Sequence, residues 1–382
     1  MNSFHIHPQV FFGDDALDRL QELGGRRVFV VADPFVVKSG LISQVTDRLS
    51  RCGAEHTVYS DVVPDPPIES VARGVAALGA FGGDTVVAIG GGSAIDSAKL
   101  VREFRRRLDP SAPGMRLVAI PTTSGTGSEV TNVAVVADTQ AQVKIPLVAE
   151  DLTPDEAILS VELVKSVPPA LTADTGMDVF THALEACVSR HESDFSAAFS
   201  ARAIELVGAY LLRSYLDAGD LEARRKMHSA SCLAGQAFTS ASLGLNHGMA
   251  HALGARFHIP HGRANAMLLA HVIEYNSGIG ADGRACPACA LTAERYTDAA
   301  RRLGLQSLNA VTAVRSLVHW VGFMLQEMRM PQSVSQAGVC SESEYRAAIP
   351  AMTEAAMADR CTAGNPKDAS AEDVRAIYEK LW

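Results

Sequence analysis

Along the first part of the chain, short unbroken apolar runs alternate with stretches in which apolar positions return every three or four residues. Val28-Phe29-Val30-Val31-Ala32, Thr85-Val86-Val87-Ala88-Ile89 and Leu117-Val118-Ala119-Ile120 are such runs, and Thr57-Val58-Tyr59 is a shorter one. Residues 38–51, 68–81 and 94–108 carry the helical period between them, with Pro64-Asp65-Pro66-Pro67 breaking the chain before the second. Strands without polar alternation, separated by helices, predict a parallel sheet covered on both faces. After Val167-Pro168-Pro169 the strand pattern stops, and Ala- and Leu-rich helical periods run through residues 195–216, 221–238 and 307–328. The pattern predicts an α/β domain over residues 1–165 and an all-helical domain over residues 166–382. A crevice between two such domains is the expected ligand site.

Composition narrows the function classes. The formal charge is −9, and the densest basic run, Arg105-Arg106-Arg107, ends a predicted helix, where it offsets the helix dipole. A nucleic-acid binder needs a basic stripe to replace phosphate counterions, and none is visible. No unbroken apolar run reaches membrane-spanning length and no export signal is visible at the N-terminus, so a soluble cytoplasmic protein is expected. Seven scattered cysteines do not form a disulfide framework. Cys52, Cys187, Cys232 and Cys361 read as buried thiols. Cys286 and Cys289 have CxxC spacing without a second pair at zinc-ribbon distance, which favours a loop or helix start over a structural metal.

Three polar loops follow predicted strands. Gly90-Gly91-Gly92-Ser93 lies between a strand and a helix, where glycines let backbone approach a pyrophosphate and free amides bind anions. Ser93 and Asp96 have capping-box spacing, so an ordinary capped turn is the competing explanation. Asp33 ends the first strong strand, where an acid accepts hydrogen bonds from a ribose 2′-hydroxyl and repels a 2′-phosphate. The acid precedes the glycines, the reverse of the usual dinucleotide fingerprint. The loop at 121–129, with Thr122, Thr123 and Thr126 among its hydroxyls, could hold phosphate or ribose oxygens. Together these loops predict a phosphate-binding crevice of the kind a dinucleotide occupies.

The helical half carries a second chemistry. Asp178 and His182 are four residues apart, as are His247 and His251, so each pair shares a helix face. His261 follows between Pro260 and Gly262. One carboxylate with several imidazoles suits a divalent metal, and the ligand set does not choose among Fe(II), Zn(II), Mn(II) and Co(II). His228, His258, His271 and His319 lack such partners.

These segments, in this order and spacing, resemble the iron-containing (group III) alcohol dehydrogenases over nearly the whole chain, through Asn365-Pro366-Lys367. Residues 167–186, 243–253 and 257–269 are most similar to the branch containing 1-propanol dehydrogenases of propanediol-utilisation microcompartments and their ethanolamine-utilisation relatives. The resemblance implies a dehydroquinate synthase-like two-domain fold and one divalent metal, Fe(II) or Zn(II). It places the metal on Asp178, His182, His247 and His261, with His251 beside the nicotinamide as a proton relay. Asp33, Gly90, Gly91, Gly92, Ser93, Asp96, Thr122, Thr123 and Thr126 become the NAD contacts. The implied reaction is hydride transfer between NAD(H) and a short primary alcohol or aldehyde, such as 1-propanol or ethanol.

A homodimer, an aldehyde dehydrogenase or microcompartment partner, and encapsulation also follow from the resemblance. Ser160-Val161 replaces the family's usual Asp-Pro, Ala270 replaces a common proline, and Arg263 replaces an apolar residue, which leaves the substrate range open. The alternatives are an NAD- and metal-dependent lyase or cyclase of the dehydroquinate synthase type, and a catalytically decayed microcompartment cargo. A basic substrate-binding cluster, which the former would need, is missing beside the ligands.

Overall fold

A computed structural model describes residues 4, 6–64, 66–109, 114–138, 143–280 and 286–382. Asp65, in the predicted proline-rich break, lies outside the described residues. The chain divides into two compact units, residues 1–166 and 167–382.

The first unit is built on a six-stranded parallel sheet of β1 (Gln9–Phe12), β2 (Arg27–Ala32), β3 (Glu55–Tyr59), β4 (Thr85–Gly90), β5 (Arg116–Pro121) and β8 (Glu156–Leu159). Its order is β1-β8-β5-β4-β2-β3. β6 (Val133–Asp138) and β7 (Val143–Val148) form a separate antiparallel pair. Its α-helices are α1 (Pro34–Lys38), α2 (Ser43–Arg51), α3 (Ile68–Phe81), α4 (Gly92–Leu108) and α5 (Val161–Val164), beside short 3-10 helices such as Ala16–Leu23. The central strands feed two cores from alternate positions. Phe29, Val31, Val86, Ala88, Leu117 and Ala119 enter one cluster, while Val28, Val30, Val87, Ile89, Val118 and Ile120 enter the other. Because a strand's side chains alternate between faces, burial on both sides requires the unbroken apolar runs seen in the sequence.

The predicted helix over 38–51 is two helices, with Gly40 at φ +78 between them. The predicted Ser93–Asp96 capping box does not form. Gly91 is the N-cap of α4 and no side chain caps that helix.

Among its described residues the second unit consists of helices and short turns. They are α6 (Pro169–Val188), α7 (Asp194–Leu216), α8 (Leu221–Ala241), α9 (Leu245–Phe257), α10 (His261–Ser277), α11 (Ala290–Arg302), α12 (Ala310–Glu327), α13 (Val334–Ala337), α14 (Glu342–Ala358) and α15 (Ala371–Lys380). α6 lies at its centre, with Met177, Val179, Phe180, Ala183 and Leu184 all in the largest helical core. By length and composition α7 could cross a membrane, although it contains no unbroken apolar run of that length. Here Ile204, Val207 and Leu211 join the core of α6 while Arg202 and Arg213 pair with acids.

Candidate functional site

In the first unit, β5, β4 and β2 are neighbours, so the loops at their carboxyl ends start side by side. The Asp33 N–H donates to the carbonyl of Ile89 at 3.1 Å, and Thr122 N–H donates to that of Gly90 at 2.9 Å. Gly90 takes φ +155, and a Cβ there would lie 2.6 Å from that of Ala94 and 2.9 Å from that of Asp33. Only glycine fits that backbone and that gap. A Cβ on Gly92 would stand 2.9 Å from the Thr126 methyl, and the nearest such contact for Gly91 is Thr123, at 3.7 Å. Asp33, Gly90, Gly91, Gly92, Thr122, Thr123 and Thr126 therefore lie together at the carboxyl ends of neighbouring central strands. Ser93 stands in the first turn of α4, where its carbonyl accepts from Ser97 Oγ at 2.8 Å.

Asp96 does something the sequence did not show. Its carboxylate accepts from Ser128 Oγ and, at 3.0 Å, from the N–H of Val135, so it braces the loop. One turn on, Lys99 is fully buried, and its Nζ donates to the carbonyl of Thr131 at 2.8 Å, Thr131 Oγ1 at 3.0 Å and the carbonyl of Val133 at 2.7 Å. Burial lowers the Lys99 ammonium to about 8 despite the attraction of Asp96 and Glu129. Burial likewise raises Glu129 to about 7. Two side chains of α4 thus fix the segment that follows the hydroxyl-rich loop.

In the second unit, one ligand atom from each of Asp178, His182, His247 and His261 lies within 4.8 Å of the others. α6 supplies the first two, α9 the third and the start of α10 the fourth. Helical spacing puts Asp178 and His182 on one face of α6, and Glu185 continues that face one turn on. Glu185 Oε2 meets His247 Nδ1, and its Oε1 accepts from the N–H of Asn246 at 2.8 Å. The His182 and His247 rings stack with centroids 4.6 Å apart. The Asn265 amide nitrogen lies 2.8 Å from Asp178 Oδ1, 3.1 Å from His247 Nε2 and 3.2 Å from His261 Nε2. Asn246 Nδ2 donates to Asn265 Oδ1 at 3.0 Å and so fixes that amide.

Burial alone would raise the Asp178 carboxyl, but His182, His261 and His247 together hold it well below the usual carboxylate range. Burial would also lower His247, yet Glu185 and Asp178 raise it to about 9. Desolvation of its ring, and then repulsion from His251, His247 and His182, lowers His261 to about 3 against the attraction of Asp178, although 42% of its side chain stays exposed. At α10's start, a Cβ on Gly262 would lie 2.0 Å from the carbonyl oxygen of Asp174, so the close approach of α10 to α6 requires glycine there. A buried carboxylate and two buried imidazoles converging with the more exposed His261 are the donor set a divalent metal needs.

His251, one turn past His247, is apart from this group. Its Nδ1 donates to Asp359 Oδ2 at 2.8 Å, and its ring stacks on His261 at 5.3 Å. His251, Asp359 and Cys361 form a second close group. Cys361 is thus partly exposed beside His251, rather than the buried thiol the sequence predicted. Cys52 and Cys187 are also only partly buried, and Cys232 is buried as expected. Arg263 turns its guanidinium onto Asp174, with Nε to Oδ1 at 3.1 Å and Nη2 to Oδ2 at 3.0 Å. Glu185 and Asn265 each stand at helical spacing from a predicted ligand, a local signal that the sequence does carry. Asp359 had no local signal.

Residues 8–161 match the family described as iron-containing alcohol dehydrogenase, and residues 172–382 match the C-terminal part of the Fe-containing alcohol dehydrogenase family. The chain is 40% identical to a 1-propanol dehydrogenase of Salmonella typhimurium over the whole of both chains. It is 36% identical to an NADPH-dependent butanol dehydrogenase of Clostridium saccharobutylicum, covering 100% of this chain and 98% of that one. A solved 1,3-propanediol oxidoreductase superposes with a TM-score of 0.89 over all of both chains at 30% identity. The chain belongs to the iron-containing alcohol dehydrogenase family and is an oxidoreductase of alcohols and aldehydes.

Proposed function

We propose that this chain interconverts short primary alcohols and their aldehydes with NAD(H), using one divalent metal held by Asp178, His182, His247 and His261. The observation that carries the metal assignment is the convergence of those four donor atoms from three helices within 4.8 Å. When bound there, the metal supplies Lewis acidity to the substrate oxygen. Glu185 holds His247 by its Nδ1 and so turns Nε2 toward Asp178 and Asn265. Asp359 accepts from His251 Nδ1, which leaves Nε2 as the nitrogen that takes up and passes on the alcohol proton.

In the first unit, Gly90, Gly91, Gly92 and Ser93 bring backbone to the cofactor pyrophosphate at the uncapped start of α4. Thr122, Thr123 and Thr126 supply hydroxyls, while Asp96 holds their loop at Ser128 and Lys99 holds the segment that follows it. Asp33 favours NAD over NADP by its charge. One solved relative, a sulfoacetaldehyde reductase of Bifidobacterium kashiwanohense, is in complex with NAD+ and superposes at a TM-score of 0.85.

Short, weakly polar substrates fit the pairing of Arg263 with Asp174, because the added cation is already occupied. The sequence resemblance further favours a homodimer and housing in a microcompartment. The test is an anaerobic assay of metal-reconstituted protein against two- to four-carbon aldehydes with NADH and NADPH. Oxidation of NADH by propanal, and loss of metal but not of NAD binding in His261→Ala, are expected. Full activity in that variant would remove the site assignment.

A further inference from the structure

Cys286 and Cys289 fold back onto the end of α10. Cys286 N–H donates to the carbonyl of Gly278 at 3.0 Å, and Cys289 N–H donates to the carbonyl of Cys286 at 2.9 Å, starting the turn that leads into α11. Both sulfurs rest on Gly278. A Cβ there would stand 2.5 Å from Cys289 Sγ and 2.9 Å from Cys286 Sγ, and the φ of +60 is itself a glycine conformation. The two thiols share a hydrogen bond. Cys289 is 2% exposed, whereas Cys286 is open to solvent in part. Among the described residues no third histidine, cysteine or acid joins them in a metal-binding group.

The surroundings separate the two sulfurs. The Cys289 hydrogen bond and the nearby Lys367 ammonium hold the Cys286 thiol below its usual value, while burial pushes Cys289 up to about 11. Lys367 is fixed in place, its Nζ donating to the carbonyl of Tyr275 at 3.2 Å and lying 3.7 Å above the ring centre of Tyr275.

We propose that Cys286 and Cys289 are a redox-active dithiol that exchanges with small disulfides, with Cys286 attacking and Cys289 resolving. The Cys286 thiolate attacks one sulfur of a disulfide RSSR, forming a mixed disulfide and releasing RS−. The Cys289 thiolate then attacks Cys286 Sγ, forming the intramolecular disulfide and releasing the second RS−. The two thiol protons end on the two released thiolates, so the dithiol loses two electrons and RSSR gains them.

Fully reduced, metal-loaded protein is equilibrated anaerobically with oxidised and reduced glutathione at a series of ratios, then alkylated with iodoacetamide and mapped by mass spectrometry. The expected result is loss of alkylation at Cys286 and Cys289 together, with the peptide pair lighter by two hydrogens and no retained glutathione. Cys289→Ser should accumulate one glutathione on Cys286, and Cys286→Ser should leave Cys289 unmodified. The proposal is overturned if the wild type keeps glutathione on Cys286, if both thiols stay alkylatable at every ratio, or if Cys289 reacts first. The wild-type map decides the matter alone should either variant fail to fold.

Discussion

Replacing Glu185 by Gln tests how the donor cluster is held. Glu185 offers two acceptor oxygens, one to His247 Nδ1 and one to the N–H of Asn246 at 2.8 Å, and its side chain is 5% exposed. Glutamine keeps the shape but turns one acceptor into an NH2 group, so one of the two donors faces another donor in a buried place. Removing a partner that orients a metal-bound histidine costs about ten- to a hundredfold in metal affinity. That corresponds to about 1.4 to 2.8 kcal/mol. Loss of the Glu185 charge also withdraws the attraction that raises His247, so the ring binds its proton less tightly and proton competition with metal falls. The net loss should therefore shrink toward acidic pH. Metal affinity measured by competition with a chromophoric chelator, on wild type and Glu185→Gln across a pH series, reads both effects. A natively folded variant with wild-type affinity throughout would refute the reasoning.

Other parts of the molecule make separate predictions. Glu129, raised to about 7 in the fold, keeps its proton where the unfolded chain has lost it, so it withdraws stability as pH climbs from its ordinary value near 4.5 through about 7. Urea unfolding of Glu129→Gln should be flatter with pH across that window than wild type, and an unchanged slope would count against burial as the cause. Asp359→Asn should leave metal affinity unchanged and lower turnover by about tenfold or more, because the carboxylate that accepts from His251 Nδ1 fixes which ring nitrogen is free to take the proton. Arg263→Leu removes both hydrogen bonds to the largely buried Asp174 and should cost about 1–3 kcal/mol in urea unfolding.

The strands at the sheet centre were legible because successive residues such as Val30 and Val31 are both buried although they point to opposite faces. β1 and β8 were not, since each is four residues long and Glu156 interrupts the apolar signal of β8. Glu156 is buried only because Arg19 and Arg116 reach it from elsewhere in the chain, and no local pattern shows that. At the site, Asp178 with His182 and His247 with His251 were readable because helical spacing is local. Whether each residue faced the same point was a matter of tertiary packing. His251 turns to Asp359, which is 108 residues away, while its neighbour one turn earlier joins the four-donor group. The capping box failed because the backbone at Gly91 starts α4 before Ser93, which freed Asp96 to brace Ser128 and Val135.

Because α6, α9 and α10 each contribute donors, a bound ion would act as a cross-link among three helices as well as a reagent. An ion that binds only the assembled helices stabilises them by mass action, by about 4 kcal/mol at a thousandfold excess over its dissociation constant. None of the four donors belongs to the sheet-built unit. Chelation should therefore lower the melting temperature of residues 167–382 while leaving the unfolding of residues 1–166 to its own apolar cores, so that metal supply sets the lifetime of one half of the chain more than the other.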